Sequence, residues 1–281
     1  MVAIIPPPIV EAKPTPSAPL RYGLFQAAIE RDLTVKMRTG GLEYVHNMCP
    51  DGSGYEILCE NPLPAKTFDA DAGLAHVLGT PFLVYSTFVC GAVGYTPEQY
   101  RAFGLEGLKS IEQSLVEAVF SEGTFAQSPS LANNTPNASL VVGGGTTSAQ
   151  VVSELETTFY CTNGYGVAAY LHVPIGIFND LKERHMIEWD GMRWRTPLGT
   201  VVSTGCYVNQ APDGTPAVDG TFWLYITGQT VVWSTPDDQV FVSPIEGTLD
   251  RTNNQIRQLV EREYVVTYEC TPYAKSVTLW S

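Results

Sequence analysis

A chain of 281 residues, 44% hydrophobic and 16% charged, carries enough apolar material for one large domain or two modest ones. Its formal net charge of −13, with no basic stripe to displace counterions, excludes binding driven by phosphate neutralisation. No apolar run approaches the roughly 20 residues of a membrane span, and Met1–Val10 lacks a cationic start and is cut by Pro6-Pro7-Pro8, so it is not a secretory signal.

Residues 1–20 contain Pro6, Pro7, Pro8, Pro14, Pro16 and Pro19, which fix φ and remove donors. They predict an extended arm with little means of holding itself, so neighbouring subunits are expected to hold it. From Leu33 to about residue 70, strand-like runs at 34–37, 42–45 and 55–58 surround Pro50-Asp51-Gly52-Ser53-Gly54. This reads as a long hairpin, too polar to bury both faces, that projects or lies on a partner. Phe82–Val93 is β-branched and aromatic and predicts a strand.

The next stretch organises the chain. Thr96 supplies an N-cap hydroxyl, Pro97 stands at the first helical position and Gln99 at the third, so a reciprocal cap is expected. Tyr100, Phe103, Leu108, Ile111, Leu115 and Val119 predict an apolar stripe, with Glu98, Arg101, Glu106, Lys109, Glu112 and Glu117 mostly elsewhere around the helix. Gly123 stops it. At about 1.5 Å per residue the helix is roughly 40 Å long and needs a broad surface to lie across. Gly104 and Gly107 interrupt it and are expected to permit curvature, at about 1 kcal/mol each relative to alanine.

Residues 128–139, rich in Ser, Asn and Pro, and then Gly143-Gly144-Gly145 read as a linker. A helix from Ser148 with Val151, Val152, Leu155 and Phe159 on one face is followed by a strand at 166–173 and a helix at 174–186. Residues 187–194 predict a hairpin with a two-residue Asp190-Gly191 turn. Strands near 199–204, 221–227 and 229–234 are expected to complete an α/β unit. Tyr264, Val266, Tyr268 and Cys270 alternate with Val265, Thr267 and Glu269 in a half-buried strand, and Ser276–Trp280 is a further strand.

Catalytic signatures are missing: there is no GxSxG, HExxH, P-loop or post-strand GxGxxG. Gly143–Ser148 before a helix N-terminus lacks the P-loop lysine and reads as a hinge. His46, His76, His172 and His185 are far apart, and His46 with Cys49 makes only half of a zinc set. His185 reads as a helix-end histidine, and Asp69/Asp71 and Asp237/Asp238 as solvated turns. Asn133 and Asn137 match glycosylation acceptors, which carry no weight without a secretion signal. Cys49, Cys59, Cys90, Cys161, Cys206 and Cys270 show no CxxC and predict free thiols, with a Cys49–Cys59 bridge across a turn as the alternative. No catalytic, cofactor-binding or metal residue is assigned, and no enzyme is expected. Low charge density with 14 Tyr, 11 Phe and 5 Trp points to surfaces that become covered, as in an oligomer, although one big core has the same statistics.

A series of short motifs adds what periodicity does not. Arg21-Tyr22-Gly23-Leu24-Phe25 follows the Pro-rich arm, and Glu60–Asp69 reads ENPLPAKTFD. Arg195–Thr200 reads RTPLGT, Pro212–Thr215 precedes Trp223-Leu224-Tyr225, and Leu249-Asp250-Arg251 precedes Glu261–Val266. In this order they resemble major capsid proteins of tailed actinobacteriophages, of the HK97-like fold that encapsulins share. The resemblance implies an α+β fold with an N-arm at 1–32, an extended loop at 33–71, a spine helix at 96–122, a peripheral domain at 72–129 and 246–281, and an axial domain at 130–245. It implies a virion subunit assembled in the host bacterial cytoplasm into hexamers and pentamers around double-stranded DNA. An encapsulin-like compartment shell is the alternative. The partners implied are copies of the chain itself, met through N-arm, extended loop and axial domain. Scaffold, portal or decoration proteins are possible further partners; without a long N-terminal scaffolding segment, a scaffold is expected to be separate. The DNA is enclosed without sequence-specific contact, which suits an acidic shell, and no membrane is involved. Lys36 and Lys66 fall in the extended loop, but no crosslinking partner follows from sequence.

Overall fold

Residues 255–268 alternate half-buried and buried side chains in their first half and are mostly buried on both faces in their second, so they form one fourteen-residue strand on which a sheet is assembled. The computed structural model describes residues 18, 20–46, 75–91, 95–134, 137–244 and 249–279. In chain order the strands are β1 Ile29–Asp32, β2 Leu42–His46, β3 Ala75–Gly79, β4 Phe82–Gly91, β5 Ser139–Leu140, β6 Tyr170–Pro174, β7 Glu188–Trp189, β8 Trp194–Arg195, β9 Val201–Gly205, β10 Thr221–Thr227, β11 Thr230–Ser234, β12 Phe241–Val242, β13 Leu249–Asp250, β14 Gln255–Tyr268 and β15 Tyr273–Thr278. The helices are α1 Leu24–Ala27, α2 Val35–Gly40, α3 Pro97–Glu122, α4 Ser148–Asn163 and α5 Phe178–Glu183.

In the first sheet, β4 runs antiparallel along one side of β14 from Gly91↔Gln255 to Phe82↔Tyr264. The short strands β13 and β12 and then β11 share the other side, and β1 lies parallel outside β11. The second sheet has the order β5-β15-β10-β6-β9-β8-β7. Between the sheets the chain crosses twice at one place. Gly228 N donates to Glu269 O at 2.8 Å, and a Cβ on Gly228 would stand 2.6 Å from that oxygen. Strand 230–234 therefore leaves the second sheet and joins the first, which corrects its expected place in the α/β unit.

Helix α3 begins and ends where its signals put it. Thr96 N donates to Gln99 Oε1 at 2.8 Å, Gln99 N donates to Thr96 Oγ1 at 3.4 Å, and Gly123 takes the left-handed φ of 73°. Its buried stripe differs from the expected one: Tyr100, Gly104, Leu108, Glu112, Val116 and Phe120 recur every fourth residue, whereas Leu115 is 41% exposed. The glycines serve contact with the sheet. A Cβ on Gly104 would lie 2.6 Å from Val260 Cγ2, and one on Gly107 would lie 3.0 Å from Ser86 Oγ. Gly104→Val is expected to lose about 2 kcal/mol by overpacking. Gly107→Ala, facing a hydroxyl that can rotate, is expected to gain up to about 1 kcal/mol of helix propensity. Urea midpoints of the two variants check the contrast.

One core lies between α3 and the two sheets, around Leu108, Val116, Phe120, Val260, Tyr264 and Val266. Another sits under α4 and α5 against the second sheet, around Val152, Phe159, Leu171, Ile177 and Leu224. The part of the arm from residue 21 onward is not free: Leu24, Ala27 and Ala28 are buried in the chain's own body, because β1 pairs with β11 and α1 packs on β9 and α3. Residues 1–17 lie outside the described part. The hairpin is also revised. Residues 35–40 form a helix, and β2 pairs with β3; the Pro50–Gly54 turn and 55–58 lie outside the described residues. The base of this ribbon docks on the first sheet through Leu42 against Val265 and Leu33. The 128–139 stretch is no simple linker, since Leu131 and Ala132 are fully buried and their N–H groups reach Phe120 O and Ser121 O. The 187–194 turn spans four residues, 190–193, because Asp190 Oδ1 accepts from Met192 N and Arg193 N.

Candidate functional site

The sequence candidates for small-molecule chemistry come apart in the structure. Gly145 N donates to Glu154 Oε1 at 3.1 Å, and Glu154 pairs with the buried Lys275. Ser148 Oγ at the start of α4 bonds Asp180. An anion at this helix end would meet two carboxylates, so the glycine run cradles none. His185 follows α5 with φ 54° and is exposed. Asp237 is not merely a solvated turn residue, because it pairs with Arg262. Asn133 Nδ2 donates to Glu122 O at 2.8 Å and helps close the end of α3. Cys161 and Cys206 are free, whereas the buried Cys270 is disulfide-bonded, which corrects the expectation of free thiols throughout; spacing along a chain does not report such pairings. Cys49, Cys59, Asp69, Asp71 and Lys66 lie outside the described residues. Among the described residues no group of His, Cys, Asp or Glu could hold a metal ion, and no helix is long and apolar enough to cross a membrane.

What the structure does assemble is a set of joints inside and apolar surface outside. Arg262 on β14 meets Glu112 on α3 at 3.2 Å and Asp237 after β11, and Tyr264 Oη donates to Glu112 Oε2 at 2.7 Å. Glu112, Glu117 and His172, all nearly inaccessible, were missed by a stripe-based reading because, apart from Gln113 beside Glu117, their partners lie 35 to 152 residues away. The surface shows apolar side chains in two regions. Along β4, Leu83, Tyr85 and Val89 point away from α3 and are exposed, with Phe241 and Leu249 also exposed in the same sheet. Around the second sheet, Val142 is 97% and Tyr165 86% exposed, and Met192, Leu198 and Val218 are open as well. Strand β4 is also a ten-residue edge strand, paired among the described residues only with β14 and carrying no charged side chain. Such an edge in a soluble chain is ordinarily covered.

No protein-family model matches the sequence, and no curated protein matches it. Solved structures do. The chain is similar to the subunit in the capsid of an empty GTA particle, at 10% identity and TM-score 0.55, over 96% of this chain and 95% of that one. It is similar to a chain of the holo-SrpI encapsulin complex from Synechococcus elongatus PCC 7942, at 11% identity and TM-score 0.53, over 94% and 91%. It is also similar to a structure from Mycobacterium phage Adephagia, at 11% identity and TM-score 0.50, over 96% and 94%. The fold is therefore the α+β fold shared by these capsid and encapsulin structures.

Proposed function

We propose that the chain is a structural shell subunit that assembles with copies of itself into hexamers and pentamers of an icosahedral phage capsid enclosing double-stranded DNA. The observation that carries this reading is the whole-chain likeness to the capsid subunit of the GTA particle, 96% of one chain against 95% of the other. The exposed apolar side chains of β4 and of the second sheet support it, since closed shells cover such surface with neighbours. In this reading 72–129 and 246–281 form the peripheral part and 130–245 the axial part, with β11 and β12 of the axial range joining the first sheet and β15 of the peripheral range joining the second. The net charge of −13 suits a wall that confines DNA without adhering to it. Assembly would take place in the host cytoplasm, with scaffold, portal or decoration proteins as separate partners.

The likeness to the encapsulin shell at TM-score 0.53 favours a second reading, a compartment enclosing protein cargo. Electron microscopy of the purified protein tests both. Closed polyhedral particles are expected, and a stable monomer at every concentration would remove the shell reading. Nuclease-protected double-stranded DNA inside particles selects the phage capsid, and a packed protein interior selects the compartment.

A further inference from the structure

Glu117 is 1% exposed at the joint between the arm, α3 and the second sheet. Its Oε1 accepts Leu24 N at 2.9 Å and Gln113 Nε2 at 2.7 Å, and its Oε2 accepts Cys206 N at 2.8 Å. Leu24 opens α1 and Cys206 follows β9, so one carboxylate ties two distant segments to α3. Two glycines make the room: a Cβ on Gly205 would lie 2.1 Å from Glu117 Oε2, and one on Gly23 would lie 1.5 Å from Gln113 Nε2. The groups facing the carboxylate are Gln113 on α3, the backbone at 23–24, and the Cys206 thiol and Tyr207 phenol after β9. None is a cation. A buried charge without a cation lowers its free energy by binding a proton. Beside it, Gln113 Oε1 is a buried acceptor with no partner, on a side chain only 5% exposed.

We propose that Gln113 and Glu117 form a proton-operated latch between the arm and the body. With Glu117 ionised, Gln113 turns its NH2 toward it, as the structure shows. When a proton from solvent binds Oε1, the Gln113 amide turns over and its own Oε1 accepts the new O–H. Leu24 N and Cys206 N keep their acceptors, so the protonated joint retains these bonds and no longer buries a charge. Burial holds the Glu117 carboxyl above the usual carboxylate range, opposed by the bonds from Leu24, Gln113 and Cys206. Opening the joint returns the group to water and to an ordinary value of about 4.3. The closed joint therefore binds more protons than the open one, so it is tightest at acid pH. Its opening constant rises by up to about tenfold per pH unit until the raised value is passed.

Hydrogen–deuterium exchange of peptides covering 22–28 and 203–208, corrected for intrinsic rates, tests the latch from about pH 4.5 to about pH 7.5. Protection in both peptides is expected to fall together as pH rises, and Glu117→Gln to remove that dependence in both. Protection that is flat in the wild type, or equally pH-dependent in Glu117→Gln, overturns the latch. Should Glu117→Gln not fold, the carbon-13 shift of the Glu117 carboxyl in the wild type decides: a midpoint above the ordinary glutamate value supports the latch, and one at or below it overturns it. The latch needs no neighbouring subunit, so these outcomes are separate from whether the chain builds a shell.

Discussion

Arg262→Met is expected to lower folding stability by about 3–5 kcal/mol, because it strands the carboxylate of Glu112 in the seam between α3 and β14 with only the Tyr264 hydroxyl as donor. Both side chains are about nine-tenths buried, at 9% exposure for Arg262 and 10% for Glu112. The arginine also joins α3, β14 and the segment after β11, through Glu112 and Asp237. The penalty arises from the abandoned charge more than from the lost attraction, so a double replacement separates the two. Arg262→Met combined with Glu112→Leu is expected to recover most of the loss, since apolar side chains of similar volume often replace a buried ion pair at little cost. Asp237→Asn, whose side chain is 74% exposed, is expected to cost less than about 1 kcal/mol. Urea unfolding of the three variants decides. If the double variant is as unstable as Arg262→Met alone, the buried pair is not the reason.

The same seam shows which parts of the molecule could be read from the sequence. The limits of α3 were visible because their determinants are local: Thr96 and Gln99 close a box three residues wide, and Gly123 ends the helix on its own backbone angle. The buried face was not visible. Glu112 and Glu117 look like surface residues until Arg262 and the N–H groups of Leu24 and Cys206 arrive from 89 to 150 residues away. The 128–139 stretch failed for a related reason. Its Ser, Asn and Pro content marks irregular backbone correctly, yet Leu131 and Ala132 anchor it on the last turn of α3. Strand 230–234 was recognisable as a strand, but alternation names a strand and not its sheet, and the crossing at Gly228 depends on Glu269. For the candidate assembly surface, the low charge density anticipated exposed apolar area, while its placement on β4 and around the second sheet required the pairings.

Acid is expected to unfold this protein largely through one histidine. His172 is fully buried in β6, with Nε2 2.9 Å from Thr227 Oγ1 and Nδ1 3.3 Å from the Tyr207 hydroxyl, and with the Phe120 ring packed edge-on at 5.4 Å. Its ring nitrogens meet hydroxyls and no carboxylate, so burial alone pushes its pKa down to about 3. An unfolded histidine titrates near 6.5. The folded pKa is thus depressed: the contribution is complete above about pH 6.5, is lost as pH falls and is gone near the folded value. Over about 3.5 units at 1.36 kcal/mol each, that amounts to about 5 kcal/mol, comparable with the whole stability of many domains. Glu117 works in the opposite direction over part of this range, because its raised pKa favours the folded state on protonation. Carboxylates near the surface with lowered values, such as Asp190 and Asp250, contribute only at lower pH. Burial also raises the carboxyls of Glu30 and Glu269, so the window from about pH 6.5 to about pH 4.5 reports chiefly the imbalance between the histidine and these three glutamates. His172→Gln keeps a polar group near Thr227 without a titrating ring. It is expected to lose about 1–3 kcal/mol at neutral pH and to flatten the fall in urea midpoint across that window. A variant that loses stability on acidification as steeply as the wild type would place the acid sensitivity elsewhere.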